Sequence, residues 1–259
     1  MSLHRPRKRF GQHFLRDRMI IQRIAATLAP RTEERVVEIG PGEGVLTREL
    51  LQYIKPLHAI ELDRDLAAHL RETFPSDQLI VHQADALNFD FCQLAPPNTR
   101  LRLVGNLPYN ISTPLLFHLL DQAHCIDDML FMLQKEVVLR LAAKPDTSDY
   151  GRLSVMAQYR LRVEPLFDVP PTAFYPSPKV DSMVVRLVPR RTAPVEIKNT
   201  DDFARIVRAA FASRRKTLRN NLKETMEIGV LETLGIDPNR RAETLTLAEF
   251  AAIANAISS

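Results

Sequence analysis

Asn106-Leu107-Pro108-Tyr109 is the stretch of this chain with the most chemistry in it, and it directly follows a short apolar run, Leu101 to Gly105. The asparagine amide and a backbone carbonyl at Leu107 or Pro108 supply two hydrogen-bond acceptors. Proline stiffens the turn that carries them, and the tyrosine adds a flat aromatic face. That set suits alkylation of an exocyclic amine on a purine. The lone pair of such a nitrogen is delocalised into the ring, which makes it a poor nucleophile. Acceptors for both amino hydrogens favour a pyramidal nitrogen whose lone pair points at the incoming carbon. A base swung out of its stack can settle on Tyr109, at about 1–3 kcal/mol per stacked base. No general base of tuned pKa is required, because the nitrogen becomes acidic as it is alkylated. Taken alone, the tetrapeptide also reads as an ordinary turn, since Asn and Pro favour turns for local reasons. Its place after a strand is what lifts it above that.

Three strand ends upstream carry residues fit to hold a carbon donor. Glu38-Ile39-Gly40-Pro41-Gly42-Glu43-Gly44 follows one apolar run and opens a helical one. Glycines there allow a sharp turn and close approach of a ligand to the backbone. The spacing is G-x-G-x-G, with Pro41 removing a backbone donor and Glu43 adding negative charge. Both features suit a cationic or zwitterionic ligand better than a pyrophosphate held at a helix N-terminus. Glu61 closes the next run and can accept from two ribose hydroxyls. Asp85 closes the third and can accept from an adenine amino group, while the Ala86 N–H donates to a ring nitrogen.

The elements that must position these residues alternate. Strands are expected at 35–39, 58–62, 79–83, 101–105 and 129–133. Helices are expected at 19–29, 45–53, 64–73, 114–120 and 135–143, from apolar spacing of 3.6 or short β-branched runs. Such alternation predicts an α/β fold, a parallel sheet wound on both faces, with ligands at the carboxyl ends of its strands. Two more strands are expected at 159–169 and 182–188, joined by the proline-rich segment Pro170 to Pro178. Beyond residue 190 the pattern is helical only, and Thr246-Leu247-Ala248-Glu249 reads as a capping box. The expected domains are residues 1–190, built on the sheet, and 191–259, a smaller all-helical domain.

With 259 residues, 45% hydrophobic and 25% charged, the chain can bury a full core without staples. Cys92 and Cys125 form no CxxC pair and read as two reduced thiols. The seven histidines show no metal-ligand spacing, so no metal is expected. The N-terminus is basic without an apolar run behind it, and no eighteen-residue apolar stretch exists, which excludes a secretory signal and a membrane span. The expected compartment is the cytoplasm and the expected state a monomer. The net charge of +4 says little by itself. Its distribution says more: Arg205, Arg208, Arg214, Arg215, Lys216, Arg219 and Lys223 fall within nineteen residues that contain no acid. Lys216, Arg219 and Lys223 would share one helical face. Solvated faces normally mix signs, so an unmixed stretch points to phosphate contact. Arg5, Arg7, Lys8 and Arg9 form a second basic cluster.

As an ordered set these motifs resemble the KsgA-type family of ribosomal RNA adenine dimethyltransferases. The matching segments are Phe10 to Leu15, Glu38 to Thr47, Glu61 to Asp63, Asp85-Ala86, Gly105 to Asn110, Tyr150 to Ser154, Ser177 to Ser182 and Arg214 to Leu222. The resemblance implies a Rossmann-like methyltransferase sheet that uses S-adenosylmethionine (SAM). It places His13 and Leu15 at the methionine end of the cofactor, Gly40 and Gly42 in the turn beneath it, Glu61 at the ribose and Asp85 with Ala86 at the adenine. Asn106 would touch both cofactor and target base. Phe174 would be a second aromatic wall for that base, alongside Tyr109. His13 stands where many members carry asparagine. The implied product is N6,N6-dimethyladenosine at two adjacent adenosines near the 3′ end of small-subunit RNA, within an immature subunit. Two other readings share parts of the pattern: a resistance-type methyltransferase of large-subunit RNA, and a ribosome-assembly factor with secondary catalysis.

Overall fold

The computed structural model describes residues 12–258. Arg5, Arg7, Lys8, Arg9, Phe10 and Gly11 lie outside the described residues. By contacts the chain forms two compact units, one running to Val138 and including Glu164–Pro189, the other comprising Leu139–Val163 and the chain from Arg190 onward. One crossing falls at the expected residue 190. The segment 139–163, expected with the sheet, groups with the helical unit.

The first unit holds a seven-stranded sheet in the order β4-β3-β2-β5-β6-β9-β7. Its strands are β2 (Arg35–Ile39), β3 (Leu57–Glu61), β4 (Leu79–Gln83), β5 (Leu101–Asn106), β6 (Ile126–Gln134), β7 (Leu161–Val169) and β9 (Ser182–Pro189). A separate two-stranded pair joins β1 (Phe14–Leu15) to β8 (Phe174–Tyr175). Every residue of β3 is buried, and in β2 all but Arg35 are. Burial on both faces is why these runs read as continuous rather than alternating apolar sequence. β2 to β6 pair in parallel, while β9 returns antiparallel to β6.

Chain order matters more than strand count for the site. From β2 the chain steps outward to β3 and β4, then crosses back to place β5 on the other side of β2. The β2–β5 ladder ends at Glu38↔Val104. The reversal of strand order between β3 and β5 on either side of β2 makes this end of the sheet a topological switch point, where ligands of open α/β sheets bind. The glycine turn leaves one lip of the opening and Asn106 the other.

Helices of this unit are α1 (Arg18–Leu28), α2 (Val45–Leu50), α3 (Arg64–Thr73) and α4 (Ser112–Asp121), with α5 (Lys135–Ala142) at its border. Asp17 caps α1 through the Met19 and Ile20 N–H groups, and Asp63 caps α3 through that of Asp65. Such caps satisfy donors that a helix start leaves unpaired. Leu28, Leu50 and Leu70 are buried in one core with Val36 and Leu57.

The second unit contains α6 (Arg152–Arg160), α7 (Thr200–Ala210), α8 (Leu218–Leu222), α9 (Gly229–Thr233) and α10 (Leu247–Ile257). Its core gathers Phe203, Ile206, Leu218, Leu222 and Phe250. The capping box read at Thr246 and Glu249 is present, with both reciprocal bonds. The strand expected from residue 159 begins at Leu161 instead. Tyr159 and Arg160 complete a helix that opens at Gly151, whose N–H donates to Ser154 Oγ at 3.0 Å, and whose Ser154 and Ala157 are fully buried.

The reading of two reduced thiols is corrected: Cys92 and Cys125 are joined by a disulfide. The Gln122 side chain gathers the two segments, accepting from the Phe91 N–H at 2.7 Å and donating to the Phe89 carbonyl at 3.1 Å. Proximity made that way leaves no trace in cysteine spacing. The same corner brings the ligand atoms of Cys92, His124 and Cys125 within 4.8 Å of one another, but sulfurs bonded to each other are not thiolate ligands. Among the described residues no helix is long and apolar enough to cross a membrane.

Candidate active site

A cavity of about 210 Å³ opens at the switch point. Its walls include His13 and Leu15 from β1 and its approach, Gly40 and Gly42 after β2, Glu61 ending β3, Asp85 and Ala86 after β4, and Asn106 to Tyr109 after β5. Five stretches far apart in sequence thus converge because each follows, or lies against, the same edge of one sheet.

The glycine turn works by backbone geometry. Gly40, Gly42 and Gly44 all have positive φ, between 57° and 74°, a region costly for residues with a Cβ. The Gly40 N–H donates to the Ile60 carbonyl at 2.9 Å, which closes the turn onto β3. A Cβ on Gly42 would meet the Phe14 ring at 3.0 Å, so the β1 segment packs directly on the turn.

Five acids line the cavity, Glu38, Glu43, Glu61, Asp63 and Asp85, and burial separates them. Glu61 is 6% exposed and accepts from the Gly42 N–H at 3.1 Å and the Asp63 N–H at 2.9 Å. Burial raises its pKa, partly offset by these two backbone donors. A carboxylate has about four lone-pair positions, and the backbone N–H groups of Asp63, Gly42 and Leu62 lie against this one. Asp85 bonds the Leu87 N–H at 3.0 Å and the Asn88 amide at 3.2 Å, which fixes its orientation at the strand end. Glu43 lines the mouth, 3.8 Å from Arg16. Glu38 carries no role in the sequence reading beyond membership of the turn motif. It lines the cavity, is 2% exposed and accepts from Thr47 Oγ1 at 2.6 Å. Desolvation pushes its pKa up to about 7, the Thr47 bond opposing and the nearby Glu61 charge adding to the rise. An acid inside the apolar run Val36-Val37-Glu38-Ile39 was a visible signal for it.

Asn106 Nδ2 donates to the His13 carbonyl at 2.9 Å. A carbonyl only accepts, so the amide orientation is settled: nitrogen faces His13, and Oδ1 is the atom left to accept. The Pro108 carbonyl takes the Ile111 N–H at 3.2 Å, and the Leu107 N–H reaches the Met132 carbonyl at 3.2 Å. Tyr109 is held by a 2.7 Å bond between its hydroxyl and Ser182 Oγ. Burial raises the phenol pKa, so it stays neutral.

Phe174 departs from its expected place. It is 5% exposed, sits in the core opposite Leu15, and is not among the residues that line the cavity. In a paired strand successive side chains face opposite ways, so the position that aligns Phe174 with Leu15 turns it inward and leaves Tyr175, 52% exposed, outward.

The basic stretch lies in the helical unit, and all seven side chains are exposed. The single helical face expected for Lys216, Arg219 and Lys223 does not form, because α8 spans only Leu218–Leu222 with Lys216 in the turn before it. Arg205 pairs with Asp202 at 2.7 Å, Arg214 with Glu243 at 3.1 Å and Arg219 with Glu232 at 3.6 Å. Arg208, Arg215, Lys216 and Lys223 have no ion pair among the described residues.

A family model described as ribosomal RNA adenine dimethylase matches residues 3–259. The chain belongs to that family. It is 57% identical over 251 residues to a ribosomal RNA small subunit methyltransferase A from Thiobacillus denitrificans, covering 97% of each chain. A protein of the same description from Laribacter hongkongensis is 54% identical over 255 residues, covering 98% of this chain and 97% of that one. Among solved structures, a dimethyladenosine transferase from Plasmodium falciparum superposes with a TM-score of 0.76 at 26% identity, over 93% of this chain and 96% of that one. The 23S rRNA methyltransferase ErmE superposes at 0.70 with 29% identity, over 93% and 98%.

Proposed function

We propose that this enzyme transfers methyl groups from SAM to N6 of adjacent adenosines near the 3′ end of small-subunit ribosomal RNA, giving dimethyladenosine. The observation that carries the reading is the Asn106 amide, oriented by the His13 carbonyl so that Oδ1 accepts at the mouth of an acid-lined nucleoside cavity. The donor set fits the cofactor: buried and half-buried carboxylates suit a cation, and a turn whose glycines lack Cβ atoms lets a nucleoside approach. When bound, SAM supplies an electrophilic methyl group. Glu61 would hold the ribose, Asp85 and the Ala86 N–H the adenine, and Leu15 with the His13 backbone the methionine end.

Asn106 Oδ1 and the Leu107 carbonyl accept the two amino hydrogens of the target base. Leu107 is the better second acceptor, since the Pro108 carbonyl already takes the Ile111 N–H. Tyr109 carries the extruded base on its face. Water inherits the proton, because the methylated nitrogen is acidic until it loses one. Arg208, Arg215, Lys216 and Lys223 would meet RNA phosphates, with the cytoplasm as compartment, a single copy as the working unit and no metal in the reaction.

Sequence relatives at 51–57% identity over 96% or more of this chain bear the small-subunit description, which supports the small over the large subunit. The test is labelled methyl transfer to small subunits that lack adenine dimethylation, with large subunits as control. The expected result is label in small-subunit RNA as dimethyladenosine, abolished by Asn106→Ala. Label in large-subunit RNA alone would refute the assignment. Tight subunit binding without any label would favour an assembly factor.

A further inference from the structure

The corner that joins Cys92 to Cys125 lies apart from the methyl-transfer site. Cys92 sits in a short 3-10 turn, Phe91–Leu94, on the approach to β5, and Cys125 closes another, Ala123–Cys125, directly before β6. Both turns lie toward the amino ends of parallel strands, opposite the carboxyl ends that form the cofactor cavity, and neither contributes a residue to that cavity. We propose that reduction of this disulfide opens a binding site for one zinc ion, held by Cys92, Cys125 and His124. The same three side chains then carry a crosslink under oxidising conditions and a metal under reducing ones.

The donor set and its spacing fit. Two thiolates and an imidazole are ligands that zinc takes, with water completing a tetrahedron. The three ligating atoms lie within 4.8 Å of one another. His124 Nε2 stands 3.4 Å from Cys92 Sγ. Zn–N and Zn–S bonds of about 2.0 and 2.3 Å at a tetrahedral angle put those atoms about 3.5 Å apart. The two sulfurs need a separation of about 3.8 Å in such a site, and breaking their bond frees them to reach it.

The corner is also held by contacts other than the disulfide. The Gln122 side chain accepts from the Phe91 N–H at 2.7 Å and donates to the Phe89 carbonyl at 3.1 Å, and Phe91 is fully buried. Arg100 Nε donates to the His124 carbonyl at 3.4 Å. These bonds keep the segments together after reduction. The Gln122 carbonyl oxygen lies 3.1 Å from Cys125 Sγ and 3.8 Å from Cys92 Sγ, where it can accept thiol protons in the reduced, metal-free state. Access is open as well. His124 is exposed, and with Cys125 it lines a cavity of about 700 Å³. Glu33, Glu34 and Asp127 on its wall balance Arg35, Arg100 and Arg102, so no net charge bars a cation from entering. The redox step balances with a dithiol reductant. Its sulfurs give up two electrons and two protons and pair with each other, while the Cys92–Cys125 bond breaks to two thiols. Zinc binding then displaces both thiol protons to water.

The experiment compares the full-length protein in its oxidised form and after treatment with a phosphine reductant, each state verified by thiol count. Zinc affinity is read by competition with a chromophoric chelator under anaerobic conditions, and cobalt serves as a spectroscopic probe of thiolate ligation. The reduced protein should take up one zinc and give a thiolate-to-cobalt charge-transfer band, and the oxidised protein should do neither. Cys92→Ser should abolish zinc uptake by the reduced protein. His124→Ala, a change at an exposed position, should weaken it at least about tenfold, the least that loss of even an outer-shell partner costs. Thermal melting and SAM binding serve as folding controls. A reduced natural protein that takes up no zinc would overturn the proposal. So would equal zinc affinity in the oxidised form, an unchanged affinity in His124→Ala, or a disulfide that the reductant cannot open in the folded protein.

Discussion

Adding one methyl group at Gly105 should disable the enzyme while leaving it folded. Gly105 lies in β5 immediately before Asn106, paired with Phe131 of β6. A Cβ built there would stand 2.4 Å from the Ile39 carbonyl oxygen and 3.3 Å from its carbon. Ordinary contact begins about 3.4 Å away, so something must move by about 1 Å. The obstructing atom is backbone at a buried residue of a central strand and cannot rotate aside. Ile39 is held by its pairing with Ile60 of β3, whereas Gly105 and Asn106 are the last two residues of β5 that pair with β6, at the end of that ladder. The displacement therefore falls on Asn106 and its turn. Overpacking of this kind costs about 1–3 kcal/mol of stability, which a domain of this size tolerates. A 1 Å misplacement of a reacting geometry costs on the order of 100-fold in rate. Gly105→Ala should therefore melt a few degrees lower yet lose about two orders of magnitude in single-turnover methyl transfer, with SAM binding weakened far less. Full turnover in a variant whose melting point had dropped would refute the reasoning, since strain would then be absorbed without moving Asn106.

Two further outcomes follow from charge. Glu38 holds its proton to about pH 7 in the fold, against an ordinary 4.5. Between those values the unfolded chain releases a proton that the native state keeps, so stability falls as pH rises through the window, by about 3 kcal/mol in all. Glu38→Gln should flatten that fall in denaturant titrations from pH 4.5 to 7.5, and an unchanged slope would show that Glu38 is not the titrating group. Neutralising Arg215, Lys216 and Lys223 together should weaken binding to small subunits and reduce the log–log salt slope by up to about 3, at roughly 0.9 per phosphate contact. If both affinity and slope stayed the same, these side chains would not meet RNA.

Most of the site was legible because the chemistry of open α/β sheets is written at strand ends. Continuous apolar runs marked β2, β3 and β5, and the glycine turn after β2, Glu61 closing β3 and Asn106 closing β5 pointed at the crevice. Local rules carried equally well where the cause is local: the Thr246–Glu249 box and the stiff turn at Pro108. Those features depend on a few neighbouring residues and need no knowledge of what packs across from them.

Tertiary structure decided whatever depends on which face a residue shows and what stands opposite it. Phe174 and Tyr175 are adjacent aromatics, and only packing in the fold determines that the first is buried in the core and the second exposed. The disulfide between Cys92 and Cys125, the removal of residues 139–163 to the helical unit, and the breaking of the expected Lys216–Lys223 face arise the same way. Each reflects contacts between segments tens of residues apart. The amide orientation of Asn106 is the clearest case: residue type supplies both a donor and an acceptor, and a carbonyl 93 positions away selects which of them faces the substrate.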